Sequence, residues 1–430
     1  MKILGKLKGK TGLVVLVIVC ALALARVLVL QSRVSEISGV KTIRIAHWQM
    51  EAGVRDALDL VAREYEKIHP DVRIQQIVIG ERGYGSWITT RLIGGTAPDL
   101  VAMGSMDRRM MIPLLQRYFI PLSEEITKPN PYNRGTPLEG VPWKLTFYDN
   151  MEGGAASGAS SGGCYIPELM DYYRIPSSAF TLRLFYNKNL LREATGLDAP
   201  PSDFRGFLAA CEKIKEYGKS KGVWLYPIAG TASKYNTKIL WGRFDQAVGS
   251  TLINVTDVNR DSDLSPEESV IALAGGAVDF RDPRIRAMMR GREYYRAQFQ
   301  PAFFAADRMD AAFLFLQQKA LMIASGSWDA GSYVQQADFE IGVCDFPLPS
   351  ADDPEFGEFV EGPAAEELQG EFSFSVNATT PHRAEALDFL RFLSSQKMNA
   401  ALNKRANWIP MVRGNYPGEF IASFLPHPEG

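Results

Sequence analysis

The run from Thr42 to Met103 constrains this chain more than any other stretch, because it imposes an alternation of strands and helices. Thr42–Ala46 alternates apolar Ile43 and Ile45 with Thr42 and Arg44, and stops at His47-Trp48. Val54, Ala57, Leu58, Val61, Ala62, Tyr65 and Ile68 then recur at helical spacing, and His69-Pro70 closes that helix. Val72–Ile79 reads as a β-branched strand. Another helix follows, and after the Gly94-Gly95-Thr96 turn Pro98–Met103 reads as a third strand. Such alternation builds a parallel, doubly wound α/β sheet whose ligands collect at the carboxyl ends of the strands. Trp48 stands at one of those ends, which points to ligand binding.

At 430 residues the chain exceeds one ordinary hydrophobic core, so two lobes are expected. Its 47 basic and 49 acidic residues are well mixed and leave a formal net charge of −2, so nothing in the charge suggests a nucleic-acid or membrane-surface partner. Cys164, Cys211 and Cys344 follow Cys20 without CxxC spacing, and the four histidines at 47, 69, 382 and 427 form no zinc motif.

The N-terminus sets the compartment. Lys2, Lys6, Lys8 and Lys10 precede an apolar run from Gly12 to Ala25, and Ala23-Leu24-Ala25 offers a cleavage site. The apolar run resumes at Val27-Leu28-Val29-Leu30, near the ~20 residues that span a bilayer. Residues 1–39 are therefore expected to be a signal peptide or a signal anchor, with the remainder exported to the periplasm or cell surface.

Five blocks in order resemble one family. IRIAHW through GGTAPDLVAM, Phe185–Leu190 (FYNKNL), Pro200–Phe204 (PPSDF), Ala320–Trp328 (ALMIASGSW) and Ala386–Leu393 with Trp408-Ile409-Pro410 are similar to blocks of the extracellular solute-binding proteins of ABC importers, the maltose- and multiple-sugar-binding branch above all. The resemblance implies a two-lobed, hinged, periplasmic-binding-protein-like fold of type II. It implies lobe one at 40–186 plus 372–394, lobe two at 187–371 plus 395–430, and Ser373–Val376 as a returning strand. It also implies a mono- or oligosaccharide as solute, ABC permease membrane subunits as partners and no required cofactor. Gly153–Gly163 reads as a flexible Gly/Ser insertion.

A sugar site needs aromatic platforms for pyranose faces and placed polar groups for hydroxyls. Trp48 and Trp328 fit the platform role; relatives stack sugar on the tryptophan that Trp328 resembles, and core packing is the alternative for both. Trp241 lies near an aromatic position of the relatives, with a helix core as its alternative. Glu51 and Glu81 lie at loop ends beside strands and can reach a cleft. Asp107-Arg108 resembles a hydroxyl-binding Asp-Arg pair of the maltose-binding relatives, but the chain is one residue longer there and lacks the preceding tryptophan; a solvated charge cluster is the alternative. Polyols and phosphorylated polyols stay open as solutes, with Arg108, Arg109 and Arg183 as the arginines that could meet a phosphate.

Asp257–Glu268 matches the twelve-residue EF-hand loop. Oxygens fall at positions 1, 3, 5, 9 and 12 through Asp257, Asn259, Asp261, Ser265 and Glu268, with Asp263 supplying a carbonyl. Ser262 replaces the usual glycine, and 249–256 is not a clear entering helix. A structural calcium and a polar loop ending in a capping box are both open readings. A secreted enzyme is the rival class. Gly158-Ala159-Ser160-Ser161-Gly162 fits G-x-S-x-G but lacks an apolar strand before it, and His47 has no evident nucleophile partner. A glycosidase would need two carboxylates in one cleft. The expectation is a binding protein, not an enzyme, that closes on its solute and serves an importer, or presents ligand to a sensor if the anchor is retained.

Overall fold

A computed structural model describes residues 39–427 apart from 105, 107, 153–162, 232–235, 261–265, 363–365 and 367–368, together with 18, 19, 21 and 26. The signal segment and the Gly/Ser insertion thus lie almost wholly outside the described residues, and the G-x-S-x-G stretch entirely so. No helix among the described residues is long and apolar enough to cross a membrane.

The opening run folds as its periodicity requires. Strand β1 (Lys41–His47) pairs in parallel with β2 (Val72–Val78), Lys41 opposite Val72 and His47 opposite Val78, and on its other side with β3 (Leu100–Ala102). Ile43 and Ile45 enter one core while Ala46 enters another on the opposite face, as a sheet covered on both sides demands. The helix Val54–Ile68 buries Val54, Ala57, Leu58, Val61, Ala62 and Tyr65. Ile68, expected on the same stripe, is exposed where the helix ends. Gly53 precedes this helix at φ +85°, and a Cβ there would stand 2.7 Å from the Arg405 carbonyl oxygen, so the chain can turn this tightly only on glycine.

Six strands form the first sheet. Beyond β3 come β9 (Gln369–Val376), β4 (Ile175–Phe180) and β10 (Ile409–Pro410), all in antiparallel pairings. The second sheet has the order β8 (Ile341–Cys344), β5 (Leu182–Asn187), β7 (Ala320–Gly326) and β6 (Tyr226–Ala229). Each sheet carries helices on its faces, giving the two-lobed α/β architecture expected.

Sheet membership divides the chain at two places other than the expected lobe boundaries. The chain leaves the first sheet at Phe180 and enters the second at Leu182, so the crossing is Thr181 rather than the end of the FYN block. Leu182–Asn187 is hydrogen-bonded on both edges inside the second sheet. The C-terminal helices Arg383–Leu393 and Gln396–Ala406, together with β10, pack on the first sheet and on Val54–Ile68. The region after residue 395 was expected in lobe two. Only the tail returns there: the Thr181 hydroxyl donates to the Phe424 carbonyl, and Phe424 packs on Phe185, ring centroids 5.3 Å apart. The fully buried Arg183 also donates to the Leu425 carbonyl at 2.7 Å and forms a two-pronged pair with Glu366 at 2.8 and 2.9 Å.

Candidate ligand-binding cleft

Side chains of both lobes meet near the Thr181 crossing, whose carbonyl accepts the Ser327 amide at 2.9 Å. In lobe one, β1 runs into Trp48 and Glu51, and Glu81 opens the helix Glu81–Ile93 after β2. In lobe two, β7 ends at Gly326 and continues through Ser327-Trp328-Asp329, while Arg308 opens the helix Arg308–Leu316 behind an Asp307 capping box. Arg308 is the meeting point. Its guanidinium hydrogen-bonds Asp329, lies 3.4 Å from Glu51 Oε1 and 3.6 Å from Glu81 Oε2, and stands 6.0 Å from the centre of the Trp328 ring. One cation from lobe two thus faces two carboxylates of lobe one.

Asp329 is held in turn by the Ser325 hydroxyl at 2.5 Å and the Tyr333 hydroxyl at 3.3 Å. Burial works against the Arg308 charge, yet Asp329 and Glu51 hold its pKa above the ordinary arginine value. Burial pushes the Glu51 carboxyl above its ordinary value, and Arg308 pulls it down less than burial raises it. The two directions agree with the geometry: Asp329 is the close partner, and Glu51 sits farther out. Glu51 Oε2 is buried and has no hydrogen-bond partner.

Trp328 stands partly buried over Gly326, where a Cβ would lie 2.1 Å from Cζ3 of the indole. Phe180 meets its ring at 5.6 Å, and Trp408 Nε1 lies 3.5 Å from the Trp328 carbonyl. Trp48 is partly buried and meets Tyr84 edge-on at 5.3 Å. The fully buried Tyr84 hydroxyl reaches the carbonyls of Ala46 at 3.0 Å and Ala102 at 2.8 Å, anchoring that ring at the ends of β1 and β3.

The remaining sequence candidates fall elsewhere. Trp241 lies on the helix Thr237–Gly249 against Phe303 and Arg292, at the margin of the lobe-two core. Asp107 lies outside the described residues, and Arg108 is described only as the first residue of Arg108–Tyr118. Of the arginines that could meet a phosphate, Arg183 is taken up by Glu366 and Asp345, and Arg109 pairs with Glu267 at 2.8 Å. His47 is buried with Nε2 3.0 Å from Gln76 Oε1, the place of a structural residue rather than a base. Asp99 accepts from the Arg44 amide at 2.8 Å and from the Thr380 hydroxyl, tying β1 to the chain beyond β9.

In the EF-hand-like segment, Asp257 ends the short helix Ile253–Thr256, and Glu268 lies in Pro266–Ala274. The entering segment is helical after all, running from Thr237 through Ser250–Leu252 to Thr256. Glu268 is buried, and its Oε1 accepts the amides of Val258 at 2.9 Å and Asn259 at 3.2 Å. Asp261, Asp263 and Ser265 lie outside the described residues. Among the described residues no three acidic, histidine or cysteine side chains gather as a metal site would need.

A cavity of about 520 Å³ lies away from the cleft, within lobe one. Tyr65, His69, Glu125, Asp388 and Arg391 line it. Asp388 Oδ2 accepts from the Tyr65 and Tyr132 hydroxyls at 2.8 and 2.6 Å, so the polar groups there largely satisfy one another within the lobe.

The pattern of the bacterial extracellular solute-binding protein family matches residues 51–400. No curated protein matches the chain. Among solved structures, the apo form of RafE from Streptococcus pneumoniae is similar at 18% identity, with 90% of this chain and 86% of that one covered and a TM-score of 0.59. The GacH receptor of Streptomyces glaucescens, studied unliganded and with acarbose, is similar at 17% identity over 89% and 83% of the two chains, TM-score 0.59. The maltose/maltodextrin-binding domain MalE from Bdellovibrio bacteriovorus, bound to maltotriose, is similar at 17% identity over 86% and 81%, TM-score 0.57.

Proposed function

The chain belongs to the bacterial extracellular solute-binding protein family, and from that premise we propose that it is the binding component of an ABC importer, taking a carbohydrate between its lobes and delivering it to membrane permease subunits. The observation that carries the reading is the Arg308 cluster, where carboxylates of lobe one and a cation of lobe two converge beside Trp328. Flat indoles suit the C–H faces of a pyranose, and fixed carboxylates accept its hydroxyls. Trp48 and Trp328 are the proposed platforms, and Glu51, Glu81 and Arg308 the proposed hydroxyl partners. Proteins of the same fold binding raffinose, acarbose and maltotriose support a sugar as solute. A solute that touches both lobes stabilises the closed arrangement by population shift, without a chemical step.

Export by the basic-then-apolar N-terminal segment belongs to the same proposal; mass analysis of the mature N-terminus separates a cleaved signal from a retained anchor. So does a structural calcium ion in the Asp257–Glu268 loop. Two flanking helices and the inward-turned Glu268 support it, and calorimetry with calcium after chelator treatment tests it, absence of heat counting against it.

The function is tested by a thermal-shift screen of the purified protein against mono- and oligosaccharides, polyols and phosphorylated polyols. A ligand that binds only the folded state raises Tm by mass action. A shift with one sugar series supports the proposal. Shifts confined to phosphorylated solutes contradict it.

A further inference from the structure

We infer that the cleft selects its sugar by charge, taking neutral or amino-bearing saccharides and rejecting acidic ones, with Glu51 Oε2 as the acceptor for a ligand hydroxyl or ammonium. This rests on the carbohydrate reading above and adds to it the class of sugar.

Among the described side chains, the three carboxylates of Glu51, Glu81 and Asp329 face the one guanidinium of Arg308. The guanidinium is already committed: it bonds Asp329 and faces both lobe-one carboxylates, leaving a solute carboxylate to compete with three resident ones. Two of the three arginines considered for an anion are engaged elsewhere, Arg183 by Glu366 and Asp345 and Arg109 by Glu267, and the Arg108 side chain lies outside the described residues.

The Glu51 side chain is only 13% exposed, and its Oε2 lacks a partner. A buried acceptor without a donor is destabilising, and a solute bringing an O–H or N–H to that oxygen relieves it. A solute carboxylate brings acceptors instead and adds like-charge repulsion in a partly desolvated site, the kind of mismatch by which sites reject competitors.

Calorimetric titration of the purified protein tests this with maltotriose, chitotriose and α-1,4-galactotriose as neutral probes. Triglucosamine and trigalacturonate are the charged counterparts. The expected result is at least tenfold weaker binding of trigalacturonate than of the best neutral or amino sugar. Glu51→Gln, which keeps the shape and removes the charge, narrows that gap at least threefold, and Glu81→Gln is the second variant should the first fold poorly. Trigalacturonate binding as tightly as galactotriose overturns the inference and leaves the carbohydrate reading standing. So does a gap unchanged in both variants. Failure of every sugar to bind overturns the carbohydrate reading and this inference with it.

Discussion

Glu51 and Arg308 are 257 positions apart in sequence and 3.4 Å apart in the folded chain. Glu51 and Glu81 are legible from their places at loop ends beside strands, where a doubly wound sheet gathers its ligands, and Trp328 from its resemblance to the sugar-stacking tryptophan of the relatives. Arg308 is not, because an arginine behind an N-cap aspartate looks like ordinary helix chemistry until the opposite lobe is present. Asp329 escaped notice for the same reason: it reads as a helix start, and Ser325 and Tyr333 become its donors only after folding. If Trp328 is a platform, Trp328→Ala weakens sugar binding at least tenfold, about 1.4 kcal/mol, in calorimetry, while Trp328→Phe restores part of the loss. His47 supplies a separate prediction. Burial lowers its pKa from 6.5, so as pH falls through that value the unfolded chain takes up the proton first. Stability is therefore full above about pH 6.5 and declines below it, by up to about 1.4 kcal/mol for each unit of depression. Urea midpoints measured over roughly pH 5 to 8 should slope less in His47→Gln than in the parent.

Periodicity located the elements well and their neighbours poorly. The helix Val54–Ile68 was legible because six of its residues share one buried stripe. Ala386–Leu393 was legible only as a block resembling the family, and such a likeness does not say against which sheet the helices Arg383–Leu393 and Gln396–Ala406 pack. Their seat on lobe one depends on contacts such as Asn403 Nδ2 to the Ser177 carbonyl at 3.0 Å and Asn399 Nδ2 to the same oxygen at 2.6 Å, 226 and 222 positions away. Gly53 is the tightest point of that seat. Gly53→Ala forces a Cβ into a left-handed turn and against the Arg405 carbonyl, and should lower stability by about 1–3 kcal/mol without altering solute specificity. An unchanged denaturation midpoint would show that the turn relaxes.

At the scale of the molecule, ion pairs span the lobes around the cleft. Arg82 pairs with Asp307 and Arg109 with Glu267, both largely exposed, while the Arg308 cluster is more sheltered. Exposed pairs weaken once the screening length falls from about 10 Å at 0.1 M salt to about 3 Å at 1 M. The unliganded protein should therefore open with added salt, seen as a rise in the radius of gyration by small-angle scattering, and Arg82→Ala should open it at low salt. The crossing was the least legible feature, since the resemblance placed it after residue 186, whereas hydrogen bonding puts Phe180 in the first sheet and Leu182 in the second. Hydrogen exchange with and without a saturating sugar from the screen tests the central claim most directly. The account predicts added protection on both sides of the cleft at once, around residues 48–51 and 81–84 in lobe one and 308–312 and 326–330 in lobe two. Protection confined to one lobe, or appearing instead around the Tyr65–Asp388 cavity, would contradict a sugar held between the lobes.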